Sequence, residues 1–185
     1  SRVDLTRKIT NALSVTKNPP KQFISASAIG IYESEKEVGE ASQSYADNFL
    51  GKVVKEWEEE ASKAGKYVDT VSLIRIGVVL GKGGGMYSLM RKLVKFNLGA
   101  YFGKGDQSLS FIYIHDLVKA IEWVMEKKME GIVNMTAPEY TDYKTFMKRV
   151  KGSVGGLILW RIPEFVIKTL LGELQVVALE GQKVH

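Results

Sequence analysis

The sequence has no cysteine, which excludes disulfide bonds and thiolate metal sites. It has two histidines, His115 and His185, which leave little material for a histidine-based metal site. It also lacks a long uninterrupted apolar run. The longest apolar stretch, residues 154–171, contains three charged residues and a proline, so we expect no transmembrane helix and no membrane partner.

The charge is mildly basic, with a net charge of +5 and a pI near 9.2. The basic residues are dispersed and form no aromatic-basic stripe, so the sequence predicts no nucleic-acid partner. A homodimer stays open. The first ten residues hold several charges and no apolar run, so we expect no signal peptide and a place in the cytoplasm or an organelle interior.

Helix and strand patterns alternate along the chain, which predicts an α/β fold with a mostly parallel sheet. Strands 22–27, 70–76 and 110–114 are expected to lie parallel in one sheet, with a further strand from residue 131. The segment 67–81 is interpreted as one continuous strand, and the last forty residues as helical with a break at Pro163. Ligands in such folds collect beyond the carboxyl ends of the strands.

Three local features have a structural and a functional interpretation. The glycine cluster at residues 81–85 is either a turn or a ligand-covering loop. The pair His115 and Asp116 suggests acid–base chemistry, but Asp116 is better explained as the N-cap of the next helix. The acidic run of Glu56 and residues 58–60 is interpreted as a solvated helix face.

Seven motifs occur in a characteristic order: "FISASAIGIY", "EWE", "LIRIGVVLGKGGG", "SFIYIHDLVKAI", "VNMTAPE", "IPEFVIKTLLGE" and "EGQKV". Together they resemble the extended short-chain dehydrogenase/reductase superfamily, in particular its uncharacterised group of nucleotide-sugar-epimerase-like proteins. The resemblance implies a Rossmann-type parallel sheet that binds NADP or NAD. It also implies that residues 1–81 form the C-terminal portion of the NAD(P)-binding domain. Residues 82–185 would be mainly substrate-binding, with 110–128 returning to the sheet.

The family's glycine-rich phosphate-binding fingerprint does not occur in this sequence. We therefore expect the chain to be a fragment that lacks the N-terminal strands of the fold and a C-terminal tail. Such a fragment would bind NAD(P) weakly or not at all, because the helix N-terminus that holds the pyrophosphate would be absent.

The family's catalytic Tyr-x-x-x-Lys pair is also altered. Lys52 has Asn48, not tyrosine, four residues before it. Ser27 matches the family's active-site serine by its position in "SASA". The resemblance implies two sets of residues, the catalytic set being Ser27, Lys52, Tyr45 and Tyr32, and the cofactor-binding set Ser25, Ala26, Lys52, Arg75, Gly77, Val78 and Val79.

Two functions stay open at this point. The first, which the resemblance implies, is an NAD(P)-dependent oxidoreductase or epimerase acting on a small-molecule substrate, an unknown carbonyl or sugar nucleotide, with Ser27 polarising a substrate oxygen. The second is a non-catalytic nucleotide-binding or redox-sensing module of the same fold, which the altered Tyr-x-x-x-Lys position favours.

Overall fold

The computed structural model describes residues 2–171 and 181–184. Its helices are α1 (Arg2–Val15), α2 (Phe49–Ser62), α3 (Gly85–Lys95), α4 (Ile114–Lys127), α5 (Tyr143–Val154) and α6 (Glu164–Leu171). Its strands are β1 (Gln22–Ala28), β2 (Glu37–Val38), β3 (Thr70–Ile76), β4 (Val78–Leu80), β5 (Ala100–Phe102), β6 (Ser108–Leu109), β7 (Phe111–Tyr113), β8 (Gly131–Met135), β9 (Thr141–Asp142), β10 (Trp160–Ile162) and β11 (Lys183–Val184). The predicted α/β class is confirmed.

The chain divides into two compact units. Unit 1 comprises residues 1–33, 38–77 and 115–135, and unit 2 comprises residues 34–37, 78–114 and 136–185. The predicted division of function at residue 81 stays a prediction.

A three-stranded parallel sheet in the order β1-β3-β8 forms the centre of unit 1. The helix α2 packs against both β1 and β3, and α1 packs against α2. The prediction that 22–27 and 70–76 lie parallel in one sheet is confirmed. The prediction that 110–114 is their third strand is wrong, because β7 pairs with β4 and β8 takes that place beside β3.

The described residues of unit 2 include short strand pairs: β4 with β7 and β5 with β10 are parallel, and β6 with β9 is antiparallel. The strands β2 and β11 also pair. The helices α3 and α5 pack together through a core of buried apolar side chains. This core consists of Met90, Val94, Phe146, Met147 and Val150.

The predicted continuous strand 67–81 is broken at Gly77. In unit 1 the backbone N–H of Gly77 donates to the Met135 carbonyl, and in unit 2 that of Val78 donates to the Ser110 carbonyl. The backbone thus changes its hydrogen-bonding partner within one residue, which periodicity alone does not reveal.

Two further expectations are corrected. The helix α4 begins at Ile114, so Asp116 lies in its first turn and is not the N-cap. A carboxylate there still favours the helix through the dipole at its N-terminus. The last forty residues are not continuously helical, since residues 156–159 are irregular and β10 precedes α6. Residues 172–180 lie outside the described residues.

Candidate functional site

Three polar residues form one row across the sheet of unit 1. The strand register places Ser27 of β1 beside Arg75 of β3, and Arg75 beside Asn134 of β8. All three lie near the carboxyl ends of parallel strands, where ligands bind in open α/β sheets. Because paired residues of neighbouring strands share a face, the three side chains project to the same side of the sheet.

The Glu58 carboxylate, on α2, accepts hydrogen bonds from two residues of this row. Arg75 Nε donates to Glu58 Oε1 at 2.8 Å, and Arg75 Nη2 donates to Oε2 at 2.6 Å. The Ser27 hydroxyl donates to Oε1 at 2.5 Å. Ser27, Glu58 and Arg75 are all buried, with Arg75 only 1% exposed. The carboxylate therefore joins two strands and one helix through three hydrogen bonds.

The position of Glu58 follows from how α2 starts and which face it buries. The Asn48 side chain caps the helix by accepting from the Gly51 backbone N–H at 2.9 Å. Gly51, Val54, Glu58 and Ala61 then recur at helical spacing and are buried, whereas Glu56 is exposed. The interpretation of the whole acidic run as a solvated face is therefore wrong, since Glu58 and Glu60 are each 8% exposed.

Two aromatic rings contact the Arg75 guanidinium, whose carbon lies 4.8 Å from the ring centre of Tyr32 and 5.6 Å from that of Tyr45. Burial alone lowers the pKa of the guanidinium, but Glu58 and Tyr32 outweigh burial and raise it. Arg75 is therefore a permanent cation. Its Nη1 is buried and has no hydrogen-bond partner within residues 2–171 and 181–184.

The segment 29–47 is fastened to the row at several points. The Tyr32 hydroxyl donates to Asn134 Oδ1 at 3.0 Å, and a Glu40 carboxylate oxygen accepts from the Asn134 backbone N–H at 2.9 Å. Tyr32 and Tyr45 form an antiparallel bridge. Tyr32 and Arg75 therefore hold this segment against the ends of β3 and β8.

The four predicted catalytic residues are not equivalent in the structure. Ser27, Tyr32 and Tyr45 come together around Arg75. Tyr32 is fully buried, whereas Tyr45 is 39% exposed. Lys52 is elsewhere: its side chain is 65% exposed, and its ammonium lies 2.9 Å from Asp47.

The residues of α2 that lie one and two turns before Glu58 are apolar. Val54 is buried, and the Leu50 side chain packs so close to Gly30 that a Cβ added there would lie 2.7 Å from Leu50 Cδ2. On this face of the helix, Leu50 and Val54 have the four-residue spacing of a Tyr-x-x-x-Lys pair.

The residues predicted to bind the cofactor lie in both units. In unit 1, Ser25 is buried with its hydroxyl donating to the Ala26 carbonyl, Ala26 is exposed, and Gly77 is half-buried. In unit 2, Val78 and Val79 are half-buried in β4. Their role in binding a cofactor stays a prediction.

Sequence reasoning missed Glu58 and Asn134. Glu58 lies four residues after Val54 and three before Ala61, so it shares the buried face of α2. That spacing was the signal that could have identified it. Asn134 is a polar residue within the otherwise apolar strand β8, but its position beside Arg75 depends on a register that the sequence does not encode locally.

Within the described residues, no group of three or more histidines, aspartates and glutamates could hold a metal ion. Among the described helices, none combines the length and apolar character needed to cross a bilayer.

Known proteins share this architecture. The model of the NAD dependent epimerase/dehydratase family matches residues 1–136. The chain is 38% identical to the chloroplastic epimerase family protein SDR39U1 homolog of Arabidopsis thaliana, covering 100% of this chain and 54% of that protein. It is 34% identical to the epimerase family protein YfhF of Bacillus subtilis, and this match covers 99% of this chain and 61% of that protein.

A crystal structure of human epimerase family protein SDR39U1 with NADPH superposes with a TM-score of 0.91 at 27% identity, covering 100% of this chain and 63% of that one. The chain therefore spans roughly half to two thirds of the length of these relatives. From the family match over residues 1–136, the chain belongs to the NAD dependent epimerase/dehydratase family.

Proposed function

We propose that this chain is the portion of an NAD(P)-dependent oxidoreductase or epimerase that contains its catalytic residues, and that the enzyme acts on a carbonyl or sugar-nucleotide substrate. The observation that carries the proposal is the superposition of the whole chain on a human relative described with NADPH. The family match over residues 1–136 supports the same activity.

The residues of β1 fit the nicotinamide side of a dinucleotide. Ser25 and Ser27 are buried, whereas Ala26 is exposed with a side chain small enough to let a flat ring approach the strand. When bound, NADPH supplies a hydride. Ala26 would contact the cofactor, with Ser25 supporting the same strand. Binding of the pyrophosphate would fall to the part of the longer protein that carries a glycine-rich turn.

Among the tyrosines near the row, Tyr45 is the better candidate for proton transfer. Tyr32 is fully buried, and its hydroxyl proton is used in the bond to Asn134. Tyr45 is partly exposed, so its hydroxyl Oη can reach a substrate, while the Arg75 cation beside its ring supplies a fixed positive charge. Ser27 donates its proton to Glu58, so toward a substrate it can offer a lone pair in this arrangement.

A second candidate is a non-catalytic nucleotide-binding or redox-sensing module. It is favoured by one observation: the face of α2 that leads to Glu58 carries Leu50 and Val54, and the nearby Lys52 is exposed and paired with Asp47. Neither apolar side chain can transfer a proton.

A titration and a turnover assay distinguish these functions. We expect the longer protein to bind NADPH with a clear fluorescence change, and this chain alone to bind weakly or not at all. The longer protein should also oxidise NADPH with a member of a panel of carbonyl and sugar-nucleotide substrates. Binding without turnover across the panel favours the non-catalytic module, and no binding to the longer protein contradicts both functions.

The role of Tyr45 is tested in the longer protein. Tyr45→Phe should lower turnover by about 10²–10⁴-fold if Oη transfers the proton. Tyr67→Phe is the matched control, since Tyr67 is 38% exposed and directly follows the 3₁₀ helix Lys63–Lys66 after α2. Lys52→Ala tests the cofactor role given to that residue, and a drop in NADPH affinity would support it.

The cellular site and assembly are also proposals. We propose the cytoplasm or an organelle interior, and the name of the chloroplastic Arabidopsis relative supports the second. A homodimer would be detected by light scattering.

A further inference from the structure

The helix α3 of unit 2 is apolar on two faces. One face carries Met90 and Val94, which are buried against α5. The other carries an exposed stripe that includes Leu89, Leu93 and Phe96, which are 57%, 38% and 72% exposed. A surface helix normally has a polar outer face, so an apolar second stripe indicates a contact that the described residues do not supply.

The stripe continues onto the segment before β10. The Asn97 side chain accepts from the backbone N–H of Leu157 at 2.8 Å, and the Trp160 indole N–H donates to the Asn97 carbonyl at 2.9 Å. These bonds hold 157–160 beside the end of α3, with Leu157 75% and Trp160 56% exposed. We call this surface, formed by Leu89, Leu93, Phe96, Leu98, Leu157 and Trp160, the apolar face.

The two chain segments that form the apolar face are basic. Residues 81–105 contain five lysines and arginines and no aspartate or glutamate, and residues 143–163 have the same composition. On α3 itself, Lys92 and Lys95 are exposed next to the stripe. A second copy of the chain joined through this same surface would bring like charges together, which disfavours a symmetric dimer here.

We propose that the apolar face adsorbs reversibly to the surface of an anionic lipid membrane. Exposed leucines with a phenylalanine and a tryptophan can enter the boundary between headgroups and acyl chains, while lysines at the rim attract anionic headgroups. Lysine side chains suit this place because their long stems lie along apolar surface while the ammonium stays with the headgroups. The inference does not depend on the proposed activity, and it goes beyond the sequence-based expectation of no membrane partner, which rested on the lack of a spanning segment.

Vesicle co-sedimentation tests the proposal. The full chain is mixed with phosphatidylcholine vesicles that contain or lack phosphatidylglycerol. We expect binding to the anionic vesicles only, weakened as salt is raised because screening shortens the reach of the lysines. Equal binding to both vesicle types, or binding to neither, would overturn the proposal.

Two variants locate the contact. Phe96→Ser with Leu157→Ser removes apolar area, and Lys92→Glu with Lys95→Glu reverses the charge. Each pair should weaken binding by about tenfold or more. The matched control is Trp123→Ser with Met125→Ser, since these α4 side chains are 51% and 54% exposed in unit 1. Control binding should match that of the unaltered chain, and far-UV circular dichroism confirms that every variant is folded.

Three outcomes would assign the face to something else and overturn the proposal. One is unaltered vesicle binding by both variants. Another is a dimer, seen by light scattering, that Phe96→Ser with Leu157→Ser dissociates. The third is anionic-vesicle binding by this chain but not by the longer protein, which would mean that the rest of the protein covers the face.

Discussion

Arg75 and Glu58 form a buried ion pair with two parallel hydrogen bonds, of 2.8 and 2.6 Å, between the central strand of unit 1 and the helix that packs on it. The same carboxylate accepts the Ser27 hydroxyl, so the pair also fixes the end of β1. The ion pair thus sits at the centre of the candidate site.

Breaking this pair should be costly. Arg75→Met leaves the Glu58 carboxylate buried without its partner, so we expect the free energy of unfolding to fall by about 3–5 kcal/mol. Urea unfolding measures the loss. Asp47→Ala removes a partner from the exposed Lys52 pair and should cost below about 1 kcal/mol. Equal losses in the two variants would show that the buried pair contributes no more than a surface pair.

Replacing Ser27 tests its predicted role in catalysis. In the longer protein, Ser27→Ala should lower turnover by roughly ten- to a thousandfold if the hydroxyl turns from Glu58 and donates to the reacting oxygen in the transition state. NADPH affinity should stay nearly unchanged. The control is Ser72→Ala, because Ser72 is also buried in the sheet of unit 1 but donates to the Met129 carbonyl and belongs to neither predicted set. Full turnover by Ser27→Ala would contradict the assignment and leave Ser27 as a support for Glu58.

Glycine 51 should resist replacement although it lies inside a helix. A Cβ on Gly51 would lie 2.2 Å from the Ala46 carbonyl oxygen, so Gly51→Ala should destabilise unit 1 by about 1–3 kcal/mol. Gly152 in α5 has nothing within 4 Å of its added Cβ. Gly152→Ala should therefore stabilise the chain by about 0.5–1 kcal/mol through helix propensity. Thermal unfolding of both variants checks this, and the same sign of change in both would refute the steric argument.

The N-cap of α5 should make stability depend on pH. The hydrogen bond from Thr145 lowers the pKa of Asp142 below its ordinary value of 3.8. A carboxyl with a lowered folded pKa contributes stability above the unfolded pKa, and this contribution is lost as pH falls through the folded pKa. Asp142→Asn keeps a hydrogen-bond acceptor but removes the negative charge. The free energy of unfolding should therefore fall by about 0.3–1 kcal/mol at pH 7, and by progressively less below pH 3.8.

The Asn48 cap of α2 is the control for this pH effect. The Asn48 side chain is uncharged, so Asn48→Ala should lower the free energy of unfolding by about 1 kcal/mol at both acidic and neutral pH. Urea unfolding between acidic and neutral pH measures both variants. A pH-independent cost for Asp142→Asn would contradict the carboxylate as its source.

The sequence by itself determined the α/β class and most of the helices. Helix and strand patterns alternated along the chain, and turn-forming residues separated them. The parallel partnership of 22–27 with 70–76 also followed, because strands joined through a helix are parallel. The ligand-binding role of the serine strand came from the family resemblance, and it stays a prediction.

Tertiary structure alone decided which side chains meet. Strand register placed Ser27, Arg75 and Asn134 in one row, and the rotation of α2 turned Glu58 inward and Lys52 outward. Register is set by hydrogen bonds between strands whose paired residues are 48 and 59 positions apart in the chain, so local patterns cannot fix it. A buried charge is stable only where an opposite charge and hydrogen bonds compensate for its lost hydration. A charged residue in a polar run, such as Glu58, is therefore interpreted as solvated until its partner in the fold is known.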